Sequence, residues 1–521
     1  MNLPTHSDVI IIGAGASGLM MAAQLLRSGI HPVILDCKTS AVNQNPTNVI
    51  QPQSLEMLEQ LGLAERFLEV GNRVNAVALN DGTTEVDKLN PIEHETDENR
   101  HSFAIVLPQK EIERIFLDFL TANACPVFWN AELLELSQTE DHVFLKIERE
   151  EVTSYLRCDW LIGADGAKST VRERLRIPVR SQPELEYYSA ELSVARGFTS
   201  DVIRYFVKDK NLTCLYPIGN NKARFLGKLP TQLHEKSDLK FEDIEQHLSS
   251  TLGFPLDVES SCFEIFSAQP GVAAHFRENR CFLVGEAGHT LSPIFGRALN
   301  SALADAYNLA WKLVGVIRKD YTPAILNSYE AERFPASVED LKSDNNLSKL
   351  LSGSNRLKEK IKDWLGRIGF KKPGRPKLLS VLTPPNTDFR SSTLSVHHSL
   401  GKRIKAGDRL PYIQFYDEKQ NTETDLHSWC AKVGFTLIIL GNLNSRNLLA
   451  VAKWIKLNYP ANLNFYYLPH SKRNRHVFDY FEIKENRRKA VLVRPDLYIG
   501  YMNDVVDIEL IEGYMKEISG H

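Results

Sequence analysis

The sequence has few cysteines, no CxxC pair and no large excess of charge of either sign. Its seven cysteines are scattered over 521 residues, which disfavours a disulfide scaffold, a zinc ribbon and a dithiol redox site. This usage fits a reducing compartment, so we expect a cytoplasmic protein. The 62 lysine and arginine residues nearly balance the 65 acidic residues, leaving a net charge of −3. With this balance no nucleic-acid partner is predicted.

A membrane segment is also not expected. Residues 9–26 carry no charge, and 18 residues is about the shortest run that crosses a bilayer. However, the run contains Gly13, Gly15 and Gly18, and the residues before it lack the positive start of a signal peptide. We therefore interpret it as a buried strand followed by a buried helix, and we predict no transmembrane segment.

The length suggests roughly three domains, at about 150 residues per domain. Hydrophobic residues make up 43% of the chain and charged residues 24%, both typical of a folded globular protein. A strand, a turn, a helix and a second strand are predicted near the N terminus. Residues 180–270 have the alternation of a separate β-sheet, and residues 400–521 alternate strands with helices. The pattern predicts an α/β fold.

A glycine-rich turn, GAGASG at residues 13–18, follows the first predicted strand and opens a helix. An acid, Asp36, ends the next strand, 18 residues beyond Gly18. In this context the GxGxxG pattern predicts a dinucleotide site, with a pyrophosphate at the helix N terminus. A carboxylate at Asp36 would bind a ribose and disfavour a 2′-phosphate, which favours FAD or NAD over NADP. The residues predicted to bind the cofactor here are Gly13, Gly15, Ala16, Ser17, Gly18 and Asp36.

Two further motifs place glycines and an acid at the end of a buried strand. Residues 158–172, CDWLIGADGAKSTVR, pass from a strand through Gly-Ala-Asp-Gly into a helix, although an Asp-Gly turn alone is common. Residues 281–289, CFLVGEAGH, end a strand in an acid, and a loop with Pro293 leads to a long helix. The acid could bind the hydroxyls of a cofactor chain, and the helix N terminus could face an electron-rich ring. We interpret His289 as structural.

These three motifs, in this order and spacing, resemble the class A flavoprotein monooxygenases of the para-hydroxybenzoate and phenol hydroxylase type. The resemblance covers about the first 340 residues. It implies a Rossmann-like FAD-binding domain interleaved with a β-sheet substrate domain. It also implies that Asp36 binds the adenosine ribose and that FAD contacts the second and third motifs. The residues that match the family's FAD contacts are Gln109, Asp165, Gly166, Glu286, Pro293, Gly296 and Asn300.

The C-terminal part extends the resemblance. Residues 407–411, GDRLP, and residues 490–496, AVLVRPD, are similar to the thioredoxin-like C-terminal domain of the phenol hydroxylase branch. Cys430 is the only cysteine there, so we interpret the domain as structural. The resemblance implies that it either supports a homodimer or covers the body of the protein. The predicted division assigns 1–75, 101–180 and 270–345 to the FAD-binding domain, 76–100 and 181–269 to the substrate domain, 346–395 to a helical, basic linker and 396–521 to the thioredoxin-like domain.

Three positions depart from the family pattern. Glu286 replaces an aspartate and adds one methylene to a cofactor contact. Ala298 replaces the second glycine of the loop after Pro293, which would cost about 1 kcal/mol if that position needed a positive φ. Pro46 stands about where the family has an arginine. These departures motivate one alternative, a degenerate flavoprotein that acts as a non-catalytic binding protein.

The resemblance implies an FAD-dependent monooxygenase that uses NAD(P)H and O₂. It would hydroxylate a small aromatic substrate, phenolic or polyketide-like, through a flavin C4a-hydroperoxide. Epoxidation or Baeyer–Villiger oxygenation by the same fold is a second alternative. The cofactor carries the chemistry, so no catalytic nucleophile is expected, and no metal is predicted.

The substrate pocket is expected between the loop near Pro293 and the sheet of residues 180–270. Tyr205, Tyr216 and Arg224 are the candidates for its lining. Arg224 lies on a strand similar to one that turns an arginine toward the flavin in the family. An ordinary solvated arginine on a strand is an equally favoured interpretation.

One segment is strongly basic. Residues 349–377 contain ten lysines and arginines and two acids, and their apolar residues repeat at helical spacing. We favour an amphipathic helix packed on the protein and followed by a linker. The alternative is a helix that binds a membrane surface or a partner.

Overall fold

The computed structural model describes residues 3–41, 46–89, 99–193, 200–208, 211–234, 236, 238–253, 256, 260–351 and 387–519. Most of the basic segment lies outside the described residues, and so does its predicted amphipathic helix. The described strands, numbered in chain order, are β1 (His6–Ile12), β2 (Val33–Leu35), β3 (Thr47–Ile50), β4 (Asn72–Val74), β5 (Ala76–Asp81), β6 (Thr84–Leu89), β7 (Ala104–Pro108), β8 (Val127–Phe128), β9 (Ala131–Gln138), β10 (Val143–Arg149), β11 (Val152–Gly163), β12 (Val179–Ser181), β13 (Leu185–Ser193), β14 (Val202–Lys208), β15 (Asn211–Gly219), β16 (Lys222–Lys228), β17 (Ser260–Ala268), β18 (Gly271–Ala273), β19 (Arg277–Glu278), β20 (Cys281–Leu283), β21 (His289–Thr290), β22 (Val396–His398), β23 (Gln414–Asp417), β24 (Thr422–Asp425), β25 (Phe435–Gly441), β26 (Leu463–Leu468), β27 (Arg488–Val493) and β28 (Ile499–Asn503).

The described α-helices, also in chain order, are α1 (Ala16–Arg27), α2 (Pro52–Gln60), α3 (Ala64–Val70), α4 (Gln109–Ala122), α5 (Thr170–Arg174), α6 (Phe241–Leu252), α7 (Ala298–Ile317), α8 (Asn327–Leu351), α9 (Leu426–Trp429), α10 (Ser445–Asn458), α11 (Arg475–Tyr480) and α12 (Ile508–Ser519). Short 3₁₀ turns lie at Thr231–Leu233, Gly285–Ala287, Pro293–Phe295 and Pro323–Leu326. The part of the chain that the structure describes holds no helix both long and apolar enough to span a bilayer.

The first sheet has the order β19-β20-β11-β1-β2-β8, and β9 and β10 extend it from β11. β1 lies between β11 and β2 and is parallel to both. Its β-branched run, Val9 to Ile12, is buried, as expected for a central parallel strand. α1, α4 and α7 pack together beside this sheet and share its hydrophobic core. The uncharged run at residues 9–26 is therefore β1, the glycine turn and most of α1.

The second sheet has the order β17-β13-β16-β15-β14-β5-β6. Its strands pair antiparallel, except that β14 and β5 are parallel. One face packs Tyr205 and Tyr216 against Ile294 and Phe295 of the loop before α7. The other face packs against α6. Both faces are covered, so the central strands β14, β15 and β16 are buried along most of their length, unlike the alternation expected for a sheet with one solvated face.

The C-terminal part is built on a third sheet, ordered β22-β28-β27-β25-β26. β25 is parallel to β26 and antiparallel to β27, so this part is a mixed α/β unit, as the sequence indicates. Phe435 at the start of β25 contacts Trp311 of α7 edge to face, with ring centroids 5.5 Å apart. The C-terminal sheet therefore packs directly on α7, one of the helices beside the first sheet.

Two helices of 12 residues or more were not expected from the sequence. α6 lies within the region predicted as a sheet, and α8 runs for 25 residues with Pro335 inside it. α8 has no clear apolar stripe because its buried side carries charged residues, among them Glu332, Arg333 and Asp344. Hydrophobic periodicity cannot reveal a helix whose buried face is ionic.

Candidate functional site

The predicted motifs meet at one edge of the first sheet. Ile12 is in register with Gly163 of β11 and Leu35 of β2, and Gly163 is in register with Leu283 of β20. All four strands are parallel, so the segments that follow them emerge side by side. The glycine turn, Asp36, Asp165 and Glu286 therefore lie at the carboxyl edge, where open α/β sheets bind their ligands.

The glycines of the first motif have different roles. Gly13 has φ +106°, and a Cβ there would lie 2.3 Å from the carbonyl oxygen of Ala164. A Cβ at Gly18 would lie 2.0 Å from the carbonyl oxygen of Gly13. A Cβ at Gly15 would meet no described atom within 4 Å. Gly13 and Gly18 thus permit close packing of the backbone, whereas Gly15 leaves free space at the start of α1, where Ala16 and Ser17 follow.

Asp36 is buried and anchors the turn. Its Oδ2 accepts a hydrogen bond of 2.6 Å from the backbone N–H of Ala14, and its Oδ1 accepts one of 2.8 Å from Lys38 N–H. A carboxylate has about four acceptor positions, so these bonds still leave capacity for a hydroxyl pair. The geometry fits the predicted contact with a ribose.

Asp165 and Gly166 form the turn after β11. The Asp165 carboxylate accepts a hydrogen bond from Ser169 Oγ at 2.5 Å and one at 3.0 Å from the N–H of Val171 in the first turn of α5, whose N-cap is Ser169. Burial raises the pKa of Asp165, and the bond from Ser169 opposes that shift. Gly166 has φ +80°, and a Cβ there would meet no described atom within 4 Å. This turn, like the one at Gly15, combines a fixed backbone with open space.

An arginine of the second motif joins the second and third motifs. Arg172 donates from Nη1 to the carbonyl oxygen of Ala287 at 2.7 Å and from Nη2 to that of Ala167 at 2.6 Å. The motif contains Arg172, but its partner lies 115 residues further on. Local sequence therefore gave no indication of this contact.

The third motif forms a tight turn that begins at Gly285, which has φ +62°. Glu286 follows it with an exposed side chain, so the extra methylene of glutamate is accommodated without a clash in the core. His289 is buried and contacts Asp305 through Nε2 at 2.7 Å. The interpretation of His289 as a structural residue agrees with this geometry.

The loop that begins at Pro293 leads into α7 and packs against the second sheet. Gly296 adopts the left-handed conformation with φ +62°, whereas Ala298 begins α7. The positive φ falls on Gly296, so the backbone strain considered for Ala298 does not arise.

Asn300 is fully engaged by its neighbours. Its Oδ1 accepts from Gln51 N–H at 2.9 Å and from Ser54 Oγ at 2.8 Å. Its Nδ2 donates to the carbonyl oxygens of Val49 at 2.8 Å and Gly296 at 3.0 Å. Asn300 thus fixes the loop relative to β3 and α2.

Gln109 begins α4 beside this loop region. Its backbone N–H donates to the carbonyl oxygen of Pro46 at 2.9 Å, and its side-chain Nε2 donates to Glu113 at 2.8 Å. Pro46, which stands about where the family has an arginine, therefore contacts Gln109 through its backbone carbonyl oxygen in this chain.

The three predicted pocket residues lie on one sheet but make different contacts. The hydroxyls of Tyr205 and Tyr216 donate to the carbonyl oxygen of Ile294, at 3.5 and 2.5 Å. Burial raises the pKa of both phenols well above the usual value, so both remain donors. Arg224 is only 2% exposed and donates to Ser189 Oγ at 3.2 Å and Glu191 at 3.1 Å. The alternative of a solvated strand charge is wrong.

These features together define a flavoprotein-type dinucleotide site: open space at Gly15 and Gly166, a buried acid after β2 and acid-bearing turns after β11 and β20. A family model described as FAD binding domain matches residues 6–341. The chain belongs to this family.

Several known proteins of similar sequence are monooxygenases. The chain is 28% identical over 457 residues to pentachlorophenol 4-monooxygenase of Sphingobium chlorophenolicum, covering 82% of this chain and 81% of that protein. It is 27% identical over 362 residues to 6-methylpretetramide 4-monooxygenase of Streptomyces rimosus, covering 68% of this chain and 64% of that protein. The predicted FAD cofactor and the predicted class, an FAD-dependent monooxygenase, are confirmed.

The fold is also that of a solved structure. Aklavinone-11 hydroxylase, in a ternary complex with FAD and aklavinone, superposes with a TM-score of 0.82 at 19% identity over the full length of both chains. This likeness confirms the predicted α/β architecture, including a C-terminal unit after the FAD-binding part.

Proposed function

We propose that the protein uses NAD(P)H and O₂ to hydroxylate a small aromatic substrate, phenolic or polyketide-like. The observation that carries this proposal is the aromatic sheet face packed against the loop after Pro293. Tyr205 and Tyr216 lie on that face, and both donate to the loop. The printed names of the similar proteins, which refer to pentachlorophenol, 6-methylpretetramide and aklavinone, support an aromatic substrate.

The roles of the chain's own residues follow from their positions. The N–H groups around Gly15 would bind the pyrophosphate, Asp36 the adenosine ribose and Glu286 the flavin chain. FAD, when bound, supplies the redox chemistry and the activation of O₂. The protein then has to orient the substrate and exclude water. The aromatic face packed on Ile294 and Phe295 would exclude water on this side.

Arg224 gives the proposed pocket a polar end. It is paired in register with Tyr216 on the neighbouring strand and with Glu191 on the other side. An apolar aromatic region beside a buried Arg–Glu pair would fit a ring that carries a hydroxyl or carbonyl group at one end. Substrates with that arrangement should be tested first.

The proposal is tested in two steps on the purified full-length protein. The visible spectrum is recorded as isolated and after addition of FAD, and an oxidised flavin band is expected. NADH and NADPH oxidation is then measured with a panel of phenols under ¹⁸O₂, and one labelled oxygen in the product is expected. Flavin binding without oxygen incorporation into any phenol or polyketide would contradict a hydroxylase. Absence of the flavin band after FAD addition would favour the non-catalytic binding protein.

The organisation of the chain belongs to the same proposal. The FAD-binding domain comprises residues 1–75, 101–180 and 270–345, and the substrate domain comprises 76–100 and 181–269. The C-terminal domain, 396–521, is thioredoxin-like and supports a homodimer, and the protein acts in the cytoplasm. The separate sheets of the three parts support the division into domains. The seven free cysteines support a reducing compartment. Sedimentation equilibrium tests the dimer, since a monomer at micromolar concentration contradicts it.

A further inference from the structure

A buried carboxylate on α7 holds both ends of the turn that carries Glu286. Oδ2 of Asp305 accepts a hydrogen bond of 3.0 Å from the backbone N–H of Gly285 and one of 2.7 Å from His289 Nε2. Asp305 is 0% exposed and His289 is 2% exposed. The segment from Gly285 to His289 is therefore tied at its first and last residues to one atom inside the protein.

The turn held in this way lies against the cofactor-binding turn. A Cβ at Gly285 would lie 2.8 Å from Ser17 Oγ and 3.0 Å from the Cβ of Ala302. A side chain would therefore not fit at this position, and the backbone of Gly285 lies next to Ser17 at the start of α1. The position of the third motif is thus coupled by contact to the glycine-rich first motif.

Only a carboxylate satisfies the partners of Asp305. Its Oδ1 accepts from Arg333 Nε at 2.6 Å, while Oδ2 accepts from Gly285 and His289. All three partners are donors, so an amide at this position would turn its NH₂ group toward at least one of them. Burial acts to raise the pKa of Asp305, but His289 and Arg333 outweigh it and hold the pKa below its usual value. The carboxylate is therefore charged when it holds the turn.

We propose that Asp305 is a positioning residue for the FAD site. It fixes Gly285 and His289 so that Glu286 and the turn backbone stand in the geometry that binds the cofactor chain. Asp305 is buried behind the turn, so it acts through the turn and is not a catalytic residue. The inference rests on FAD binding alone and does not depend on the substrate proposed above.

The test compares two acid-to-amide variants in the full-length protein, Asp305→Asn and Glu56→Gln. Glu56 is a matched control: it is 1% exposed and is bonded to an arginine (Arg409) and a backbone N–H (Arg100), with a histidine nearby. The Kd for FAD is measured by quenching of flavin fluorescence and normalised to the folded fraction from circular dichroism. We expect Asp305→Asn to raise the Kd by about tenfold or more. Glu56→Gln should lower the melting temperature but change the Kd by less than about twofold.

A second pair of variants keeps the test decisive if Asp305→Asn does not fold. His289→Gln retains a side-chain N–H donor, whereas His289→Phe keeps the ring volume beside Phe276 without the donor. We expect His289→Gln to bind FAD like the wild type and His289→Phe to bind it several-fold more weakly, with a changed visible circular dichroism of the bound flavin.

Two results would overturn the proposal: unchanged FAD affinity in folded Asp305→Asn, or equal affinities of the two His289 variants. Both are measured without turnover. A wild-type protein that binds FAD but hydroxylates no aromatic compound would contradict the proposed function and leave this inference intact.

Discussion

Gly15 and Gly18 lie three residues apart in one turn, yet a side chain would have opposite effects at the two positions. Gly15 has φ −79° and ψ 178°, which any residue can adopt, and a Cβ there would meet no described atom within 4 Å. We expect the free energy of unfolding of the Gly15→Ala apoprotein to lie within about 0.5 kcal/mol of the wild-type value. Its Kd for FAD should rise by about tenfold or more, because the methyl group occupies the space of the pyrophosphate.

Gly18→Ala serves as the comparison. Its Cβ would overlap the carbonyl oxygen of Gly13, so the apoprotein should lose about 1–3 kcal/mol of stability. Urea unfolding of the apoproteins and FAD titration separate the two effects. If Gly15→Ala bound FAD as tightly as the wild type, the pyrophosphate would not lie at this turn.

Asp344 should make stability depend on pH near neutrality. Burial raises the pKa of Asp344 to about 7, with Asp340 adding to the shift and Arg297 opposing it. Between pH 4 and 7 the folded protein then holds a proton that the unfolded chain has released. Its stability should therefore fall as the pH rises through this window, by at most about 1.4 kcal/mol per pH unit.

The variant Asp344→Asn tests this pH dependence because it cannot ionise. The free energy of unfolding is measured in urea at about pH 5.5, 6.5 and 7.5. The wild type should lose stability relative to Asp344→Asn across this series. Parallel curves would mean that the carboxyl does not titrate in this range.

The sequence pattern identified the residues whose role depends on local backbone. A GxGxxG turn after a strand requires glycine at the positions of Gly13 and Gly18, and the structure gives the steric reason. The contacts of Arg172 and Asp305 could not be predicted, because their partners are set by how distant strands and helices come together. Asp305 lies on α7 and holds a turn 16 to 20 residues earlier in the chain.

The turns after β11 and β20 are joined to each other by α5. Arg172 of α5 donates to carbonyl oxygens in both turns. Arg172→Met removes both bonds, so we expect the melting temperature to fall by about 2–4 °C and the Kd for FAD to rise several-fold.

Arg174→Met on the same short helix is the control for this prediction. Arg174 is exposed, so its removal should be nearly neutral. Thermal unfolding and FAD titration of both variants provide the measurement. Similar behaviour of the two variants would show that α5 does not brace the turns.

The sequence predicted those strands and helices whose packing follows the pattern of hydrophobic residues. β1, α1 and β2 were expected in this order because their apolar runs have the right lengths and a glycine turn between them. α8 was not expected, because ion pairs and hydrogen bonds on its buried side replace an apolar stripe. Arg333 and Asp344 of α8 bond to Asp305 and Ser292, respectively, and such pairings are visible only in the assembled fold.

A buried ionic cluster joins the C-terminal unit to α7 and α8. Arg494, the residue after β27, donates to both oxygens of Glu332 at 2.6 and 2.9 Å and to Asp496 at 2.9 and 2.6 Å. Lys312 donates to Glu332 at 2.8 Å, and Trp311 donates to Asp496 at 3.0 Å. Arg494 and Asp496 belong to the RPD segment that the sequence linked to the C-terminal domain. The resemblance to the family did not predict that Arg494 binds Glu332, because Glu332 lies 162 residues away in the chain.

Removing Arg494 should loosen the C-terminal unit from the rest of the molecule. Arg494→Met leaves the carboxylates of Glu332 and Asp496 buried without their main partner, which typically costs about 3–5 kcal/mol.

Arg390→Met is the control, because the Arg390–Asp408 ion pair is bidentate but its arginine is 46% exposed, and such pairs contribute about 0–1 kcal/mol. Differential scanning calorimetry should show an earlier transition for Arg494→Met and a wild-type profile for Arg390→Met. The FAD affinity of folded Arg494→Met should equal that of the wild type, because the turn at Gly285 is held by Asp305 and not by this cluster. A single unshifted transition in Arg494→Met would mean that apolar packing of Phe435 on Trp311 suffices to hold the C-terminal sheet in place.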